Sequence, residues 1–377
     1  MTRASPSIPL RIMVGMLALL LAACALCAET DGPYVVRNAE GRLEAWSVDV
    51  TTDGARRRVV PVAPGSRLIV AAVGSLPAFE VTLRPAAQPA AGEVADDGKA
   101  PVFVVADTHG EFEILAAMLQ EHGVIDERLH WKFGRGRLLF LGDAFDRGAH
   151  QLEILWLVYE LEAQARQAGG AVHFVLGNHE VMALQGDARY LNPRYRATVQ
   201  IFDVDSYARL FAPDSVLGQW LRSRPALLKL GDLLCVHGGL SPGMIERKLT
   251  IREVNASVRG VLSGAEPADA QARELADFLF GREGPLWYRG YFAGQSGGAV
   301  ATRADVERIL QHFGARRILV GHTRVPTITP LYEGRVVAVQ VYPRHGSFGY
   351  DVFEALLIRD GALLRAQTDG RTEPLLP

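Results

Sequence analysis

The fold is decided by the stretch Val102-Phe103-Val104-Val105-Ala106-Asp107-Thr108-His109-Gly110, in which an apolar run of strand length ends directly in a carboxylate and an imidazole. Continuous apolar runs are typical of strands that are buried on both faces, and segments with helical periodicity separate them here. The pattern therefore predicts an α/β core. The further runs of this kind are Arg137–Leu141, Val172–Leu176, Leu233–Val236 and Ile318–Val320.

Polar motifs follow each of these runs. Because chemistry in such sheets collects at the carboxyl ends of the strands, we expect their side chains to lie together. A single Asp-x-His or Gly-Asn-His is common in turns, but five such motifs in order are a strong signal. Their carboxylate, imidazole and amide ligands suit Mn, Fe or Zn better than Mg. The motifs are Asp107-Thr108-His109-Gly110, Gly142-Asp143-Ala144-Phe145-Asp146-Arg147-Gly148, Gly177-Asn178-His179-Glu180, His237-Gly238-Gly239 and Gly321-His322-Thr323.

This series resembles the calcineurin-like metallophosphoesterase superfamily, and within it the phosphoprotein phosphatase family, whose pattern is GDxHG, GDxxDRG, GNHE and HGG. The second, third and fourth motifs match fully. In the first motif Ala106 replaces a glycine, which removes no ligand. Two features resemble the bacterial Shewanella-like branch of the family, namely Pro285-Leu286-Trp287-Tyr288-Arg289-Gly290 and Gly321-His322-Thr323.

The resemblance implies a β-sandwich core flanked by helices (α/β/β/α) with two divalent metal ions. Manganese is the expected metal, with iron or zinc as alternatives. Asp107 and His109 would hold the first metal and Asp143 would bridge both. Asn178, His237 and His322 would hold the second. A hydroxide shared between the metals would be the nucleophile, because two dications lower the pKa of bound water.

The resemblance also implies roles for residues that touch the substrate. Asp146 and His179 would form a dyad in which the imidazolium protonates the leaving oxygen and the carboxylate orients it. Arg147, Arg289 and Asn178 would bind the phosphoryl oxygens, since a guanidinium matches their charge and geometry. Glu180 would have a supporting role. Trp287 could line the substrate cleft, although aromatic residues beside apolar runs more often belong to the core.

The domain organisation follows from changes in composition. We predict a small β-rich accessory region over residues 30–84, a linker rich in Pro, Ala and Gly over 85–98, the catalytic domain over 99–368 and a tail over 369–377. A helix from Leu152 to Gln167 fits the crossover between two strands. Val336–Val341 is among the expected closing strands.

The N-terminus indicates export. Arg3 and Arg11 accompany an almost wholly apolar segment, so residues 1–28 are predicted to be a signal peptide. Leu21-Ala22-Ala23-Cys24 has the form of a bacterial lipoprotein signal cleaved before Cys24, while Ala23-Cys24-Ala25 would suit ordinary signal peptidase. We favour the lipoprotein, which makes the protein periplasmic or anchored to the membrane only through a lipid on Cys24.

Three functions remain open at this stage. The first is a phosphatase of phosphorylated proteins or peptides, including phosphotyrosine; the second is an exported phosphoesterase of nucleotides or other small phosphate monoesters. The third is a surface module that binds metal without catalysis, against which the intact Asp146, Arg147 and His179 argue. A net charge of −2 disfavours nucleic acid as a partner. His173, inside an apolar run, is interpreted as a hydrogen-bonded core histidine.

Overall fold

Two six-stranded sheets form the framework of the molecule. The computed structural model describes residues 31–86, 88–90, 92–295, 299–345 and 351–376. The predicted signal peptide, and with it Cys24, lies outside these ranges. Within them, no helix combines the length and the apolar character needed to cross a membrane.

The strands in the described ranges are β1 (Asp31–Arg37), β2 (Leu43–Thr51), β3 (Gly54–Pro61), β4 (Arg67–Val70), β5 (Phe79–Thr82), β6 (Glu93–Val94), β7 (Val102–Val105), β8 (Arg137–Phe140), β9 (Ala171–Phe174), β10 (Leu227–Leu230), β11 (Leu233–Val236), β12 (Arg317–Val320), β13 (Thr329–Leu331), β14 (Val336–Ala338), β15 (Arg344–His345), β16 (Asp351–Val352), β17 (Glu354–Arg359), β18 (Ala362–Gln367) and β19 (Thr372–Pro374). The helices are α1 (Phe112–Glu121), α2 (Gln151–Gln167), α3 (Asn178–Leu184), α4 (Pro193–Phe202), α5 (Val216–Arg222), α6 (Pro242–Glu246), α7 (Ile251–Leu262), α8 (Ala270–Phe280) and α9 (Arg303–Phe313), with a 3-10 helix over Tyr207–Phe211.

The first sheet has the strand order β19-β18-β17-β7-β8-β9, and the second has the order β13-β14-β12-β11-β10-β6. In the first sheet β7, β8 and β9 are parallel, and in the second β11, β12 and β14 are parallel. Each parallel set therefore places its carboxyl ends at one edge, where the predicted site motifs begin. All five apolar runs of the sequence contribute strands to these sheets, as predicted.

The central parallel strands β7 and β11 are buried because both faces of each sheet are covered. Every residue of β7 and β11 is buried, which is the pattern that their unbroken apolar sequences predict. Helix α2, which covers the predicted crossover, packs against β9, and α7 packs against β10. The α/β class and the helix-flanked sheets expected from the resemblance are confirmed.

The N-terminal region is β-rich and shares the hydrophobic core of the rest of the chain. Strands β1, β2 and β3 form an antiparallel sheet, and β4 and β5 form an antiparallel pair. Tyr34 and Val35 of β1 are buried, and the Trp156 indole of α2 donates to the Pro33 carbonyl at 2.8 Å. The accessory region is therefore packed on the catalytic core along β1.

Two segments that were predicted to be a linker and a tail contain strands instead. Within residues 85–98, β6 pairs with β10, and within residues 369–377, β19 pairs with β18. Both strands lie at sheet edges, where they satisfy backbone groups that would otherwise lack partners. Strands of two and three residues are too short to show apolar periodicity. Strand β14 is also shorter than predicted, since it ends at Ala338 rather than Val341.

Candidate active site and metal centre

The predicted site residues converge where the carboxyl ends of the parallel strands of both sheets meet. Asp107 and His109 follow β7, Asp143 follows β8, His237 follows β11 and His322 follows β12. Asn178 and His179 begin helix α3. A cavity of about 110 Å³ lies between them and is lined by Asp107, His109, Asp143, Arg147, Asn178, His179, Tyr190, Trp287, Arg289, His322 and Gln340. Asp146 and His237 are buried and contact the lining residues His179 and Asp143, respectively.

The backbone at this site is held in a conformation that ordinary residues rarely adopt. Of the twelve non-glycine residues with positive φ among the described residues, six are predicted site residues. Such conformations cost energy and persist where the surroundings enforce them, which is typical of functional sites. The six are Asp107 (φ 51°), His109 (44°), Asp143 (57°), Asp146 (70°), Arg147 (68°) and His322 (60°).

Contacts between the two sheets fix the loops that carry these residues. The His322 backbone N–H donates to Asp107 Oδ2 at 3.0 Å, and His237 Nδ1 lies 2.6 Å from the Leu141 carbonyl oxygen. The Glu180 carboxylate accepts hydrogen bonds from the backbone N–H groups of Asp143 and Gly177 at 2.8 and 2.7 Å. Gly177 cannot be replaced here, because a Cβ would lie 2.2 Å from Asp143 Oδ1.

One group of donor atoms comes from His109, Asp143 and His179, whose atoms lie within 4.8 Å of one another. His109 Nδ1 lies 2.8 Å from the Phe145 carbonyl oxygen, which can only accept, so Nδ1 carries the proton. His109 Nε2 is thereby left as a lone pair, 3.8 Å from Asp143 Oδ2 and 4.0 Å from Asp107 Oδ1. This is the arrangement of a metal-binding imidazole, oriented by a carbonyl on its other nitrogen.

A second group comes from Asp143, His237 and His322. His237 Nε2 lies 3.1 Å from Asp143 Oδ2 and 2.9 Å from Asn178 Oδ1. His322 Nε2 is buried and has no hydrogen-bond partner within the part of the chain described. An unpaired imidazole nitrogen beside a carboxylate and a second imidazole fits a metal ion, because the ion would supply the missing partner.

The pKa shifts within the two donor groups also favour the binding of cations. Burial raises the pKa of Asp107 to about 8, while burial lowers that of His109 to about 3. Burial also opposes ionisation of Asp143, but the charges of His237 and His179 hold its pKa well below the usual range. The pKa of His237 rises to about 9 despite burial, because of Asp143 and then Asp107. Two buried carboxylates thus compete for positive charge, and divalent cations would supply it.

Asp146 and His179 form a close pair, and His179 also belongs to the first donor group. His179 Nδ1 lies 2.5 Å from Asp146 Oδ2, and both residues are buried. Burial lowers the pKa of His179, but the carboxylates of Asp143 and Asp146 outweigh it and raise the pKa above its ordinary value. The imidazole is therefore biased toward its protonated form. His179 Nε2 also reaches toward Asp143 Oδ2 at 3.9 Å, so the geometry alone permits either proton donation or metal binding.

Both predicted arginines face the cavity. Arg289 Nη1 donates to the His322 carbonyl at 2.9 Å and to Thr323 Oγ1 at 3.1 Å. The backbone of Arg147 is fixed by the loop that follows α3, because its N–H donates to the Tyr190 carbonyl at 3.0 Å. Two guanidinium groups consequently border the same small space as the predicted metal ligands.

Among the described residues, the aromatic side chains of Tyr190 and Trp287 line the cavity, and only Trp287 was considered from the sequence. Trp287 contacts the His322 ring edge-on at 5.6 Å between centroids. Tyr190 lies 5.3 Å from the His179 ring and Tyr342 lies 5.7 Å from the His109 ring. Tyr190 lies in the segment between α3 and α4. Tyr288, the neighbour of Trp287 in sequence, does not line the cavity; it is buried and packs against Tyr291.

Gln340 also lines the cavity and was missed, because the sequence pattern assigned it to a strand. Its Oε1 atom is buried without a hydrogen-bond partner in the described residues. The rule that polar residues after a parallel strand reach the site would have found it, had the end of β14 been placed at Ala338.

Comparison with known proteins settles the family. The model of the calcineurin-like phosphoesterase family matches residues 100–326. The chain belongs to the calcineurin-like phosphoesterase family. The crystal structure of a cold-active protein-tyrosine phosphatase from a psychrophilic Shewanella species is 34% identical in sequence to this phosphoesterase. Its TM-score is 0.77, and the match covers 92% of this chain and 99% of the other.

Curated relatives resemble this phosphoesterase over a shorter segment. Shewanella-like protein phosphatase 1 of Plasmodium berghei is 26% identical over 60% of this chain and 62% of the relative. Shewanella-like protein phosphatase 2 of Arabidopsis thaliana is 26% identical over 59% of this chain and 66% of the relative. The match therefore spans less than two thirds of the length of each. Together with the family match, the resemblance to Shewanella-like phosphatases identifies this chain as a metallophosphoesterase hydrolase.

Proposed function

We propose that this enzyme hydrolyses phosphate monoesters at a centre of two divalent metal ions. The observation that carries the proposal is the convergence of two donor groups on the shared carboxylate of Asp143, beside two arginines, in a cavity of about 110 Å³. Asp107 and His109 would hold one metal, Asp143 would bridge, and Asn178, His237 and His322 would hold the other. Manganese is the proposed metal, with iron or zinc as alternatives.

The bound metals would supply a hydroxide nucleophile at neutral pH and offset charge on the phosphoryl oxygens. The chain's own residues perform the remaining steps. Arg147, Arg289 and the Asn178 amide would hold the phosphoryl oxygens, since guanidinium forks match them in charge and shape. His179 would donate a proton to the leaving oxygen, with Asp146 keeping the imidazole oriented and protonated.

The proposed substrate is a phosphorylated protein, with phosphotyrosine preferred. Support comes from the Shewanella protein-tyrosine phosphatase whose fold matches over most of both chains. Tyr190, Trp287 and Tyr342 each contact an imidazole of the site, and Tyr190 and Trp287 also line the cavity, which supports a substrate with an aromatic ring. Tyr190 is 48% exposed, which leaves its ring open to contact a substrate.

The test is hydrolysis of matched peptides that carry phosphotyrosine, phosphoserine or phosphothreonine, with Mn, Fe, Zn or Mg added. We expect the phosphotyrosine peptide to be preferred. The variant Tyr190→Ala should lower kcat/KM for that peptide by roughly three- to tenfold, the worth of one aromatic contact, and change the phosphoserine peptide less. Equal loss on all peptides would contradict a role for the ring, and no activity on any peptide would contradict a protein substrate.

A second candidate is a phosphoesterase of small molecules. A symmetrical bis(5'-nucleosyl)-tetraphosphatase from Hamiltonella defensa is 28% identical over 42% of this chain, so the proteins similar to this chain are not restricted to protein phosphatases. Nucleotides and sugar phosphates in the same assay separate the candidates. A kcat/KM for any of these that exceeds the best peptide would favour the small-molecule function.

We also propose that the protein is exported and anchored through a lipid on Cys24. Support comes only from the sequence of residues 1–28, with Leu21-Ala22-Ala23-Cys24 as the cleavage signal. Several acyl chains would anchor it stably, whereas one holds marginally. Membrane fractionation of the full chain beside Cys24→Ser, with the mass of the mature N-terminus, tests this. Soluble periplasmic protein without lipid mass would contradict the anchor.

A further inference from the structure

A chain of buried hydrogen bonds connects the N-terminal strand β1 to the proposed dyad. Tyr34 Oη lies 3.0 Å from Asp31 Oδ2 and 3.3 Å from Tyr207 Oη. Gln151 Nε2 donates to Tyr207 Oη at 2.8 Å, and Gln151 Oε1 accepts from the Asp146 backbone N–H at 2.6 Å. The chain spans contacts between residues up to 173 positions apart in sequence.

The two end groups of this series of hydrogen bonds determine which atom donates and which accepts in every bond. The Asp31 carboxylate can only accept when ionised, so Tyr34 donates to it, and Tyr207 must then donate to Tyr34. Tyr207 is left as an acceptor, which the Gln151 amide nitrogen fills. The same amide is therefore oriented with its oxygen toward Asp146. A flipped amide would place two donors against each other, with the loss of a buried hydrogen bond.

The position of Gln151 matters because of the backbone that it holds. Asp146 has a φ of 70°, a conformation that the surroundings must enforce, and its carboxylate is the group that faces His179 Nδ1. Gln151 is fully buried, so water cannot replace its oxygen as the partner of the Asp146 N–H. Rotation of this peptide would move the carboxylate away from the imidazole.

The loop between Asp146 and Gln151 is also held by helix α4. Tyr195 Oη accepts from the Gln151 N–H at 3.0 Å and donates to the Ala149 carbonyl at 2.6 Å. Arg194 on the same helix donates to the Ala149 carbonyl at 3.0 Å and lies 3.6 Å from Asp31 Oδ1. Asp31 thus supports the loop by two routes, one through tyrosine hydroxyls and one through Arg194.

We propose that Asp31, Tyr34 and Tyr207 are positioning residues, which act through Gln151 to hold Asp146 in register with His179. The accessory region would then be part of the catalytic machinery rather than an appended module. This inference rests on the proposed function only for its kinetic consequence, since the effect on the Asp146 backbone is independent of any reaction. Loss of a positioning hydroxyl should slow protonation of the leaving group and leave metal binding intact.

The test uses Tyr207→Phe and Tyr34→Phe, each of which removes one oxygen, in the full-length metal-loaded protein. Tyr159→Phe is the matched control. The buried Tyr159 hydroxyl accepts from the Arg84 backbone N–H, and Tyr159 lies on α2 as Gln151 does, but it takes no part in the series of hydrogen bonds from Asp31 to Asp146. We expect kcat for phenyl phosphate to fall roughly tenfold in the two test variants, with KM little changed. For dinitrophenyl phosphate, whose leaving group needs no proton, kcat should fall by less than roughly twofold.

A second measurement does not depend on activity. Hydrogen–deuterium exchange of peptides covering residues 143–151 should be faster by roughly three- to tenfold in the test variants, the range that one weakened hydrogen bond gives. In Tyr159→Phe it should match the wild type. If one test variant fails to fold, the other carries both measurements.

The two readouts separate the outcomes. Equal slowing of both esters, or exchange no faster than in the control, would overturn the positioning role. Wild-type protein without activity on either ester would instead refute the proposed function. The exchange result would still decide whether the buried hydrogen bonds from Asp31 to Gln151 hold the backbone of Asp146. Faster exchange in the test variants together with selective loss on phenyl phosphate would establish the inference.

Discussion

Two histidines, the buried His322 and the half-buried His173, face different cavities and share one feature. In each, Nε2 is buried without a hydrogen-bond partner among the described residues. His322 lies in the small cavity within 4.8 Å of donor atoms of Asp143 and His237. His173 borders a cavity of about 650 Å³, and its neighbours there include Arg84, Arg166 and Arg224.

The difference lies in the neighbours rather than in the histidines. Burial lowers the pKa of both. The charge of Arg137 lowers the pKa of His173 further, and the charges of His237 and then Arg289 lower the pKa of His322 further. Only His322 has other ligand atoms converging on the same point. The carboxylate that lines the larger cavity is Glu162. It accepts a hydrogen bond from the Trp220 indole and forms ion pairs with Arg224 and Arg84. Convergence of donors, rather than cavity size or a lone imidazole, therefore marks the site.

The largest expected effect comes from removing the carboxylate that both donor groups share. Asp143→Asn should lower metal content and activity together to the level of the metal-free protein, because a neutral amide cannot balance two dications. Metal content is measured by mass spectrometry after gel filtration, beside kcat. Asp96→Asn is the control, since Asp96 is a buried carboxylate paired with Arg137 outside the site. Normal metal content in Asp143→Asn would refute the bridging role.

His179→Asn should reduce kcat by roughly 10²–10⁴-fold, the usual contribution of a general acid, while both metals stay bound. An aryl phosphate with a good leaving group should lose less, because it departs without a proton. The check is kcat against leaving-group pKa in both proteins. Loss of one metal equivalent would show that His179 binds metal, as its place in the first donor group permits.

The comparison of the two histidines is tested directly by one substitution made at each. His322→Gln should weaken metal binding by at least roughly 10–100-fold, the cost of losing even a residue that merely supports a ligand. His173→Gln should leave metal affinity unchanged. Titration with Mn²⁺ and Zn²⁺ by calorimetry gives both values. Similar losses of affinity in the two variants would mean that both substitutions act on folding, and would contradict the conclusion that only His322 binds metal.

The smallest expected effect is on stability at acid pH. Burial lowers the pKa of His173 to about 4, below the 6.5 of an ordinary histidine. Between about pH 6.5 and pH 4 the unfolded state therefore binds a proton that the folded state does not, so stability falls as pH falls. The loss is at most about 3 kcal/mol. Urea unfolding at pH 7.5 and pH 5 should show a smaller loss in His173→Gln than in the wild type; an equal loss would contradict it.

Local patterns in the sequence predicted much of the fold and most of the residues of the site. Apolar runs predicted β7, β8, β9, β11 and β12; the runs are unbroken in β7 and β11, whose residues are all buried, because strands buried on both faces need no polar residues. The motifs after them predicted which side chains would meet, and the structure brings together all of the predicted site residues. Their catalytic and ligand roles remain predictions for the experiments above.

Other features were wrong or missed because their signals are not local. His173 was expected to be hydrogen-bonded, but its Nε2 has no partner in the described part of the chain. Strands β6 and β19 are too short to show a period, and only the edges of finished sheets give them partners. Gln340 was hidden because β14 ends earlier than its apolar sequence suggests.

The sequence by itself determined the α/β class, the order of the strands' motifs and the chemistry of the ligands, since each depends on residues close together in the chain. Only the tertiary structure decided that the loops of the two sheets meet, through bonds such as that from His322 to Asp107. It alone also placed Tyr34 against Tyr207, and so joined the accessory region to Asp146. Contacts between segments more than a hundred residues apart depend on packing, which no local pattern encodes.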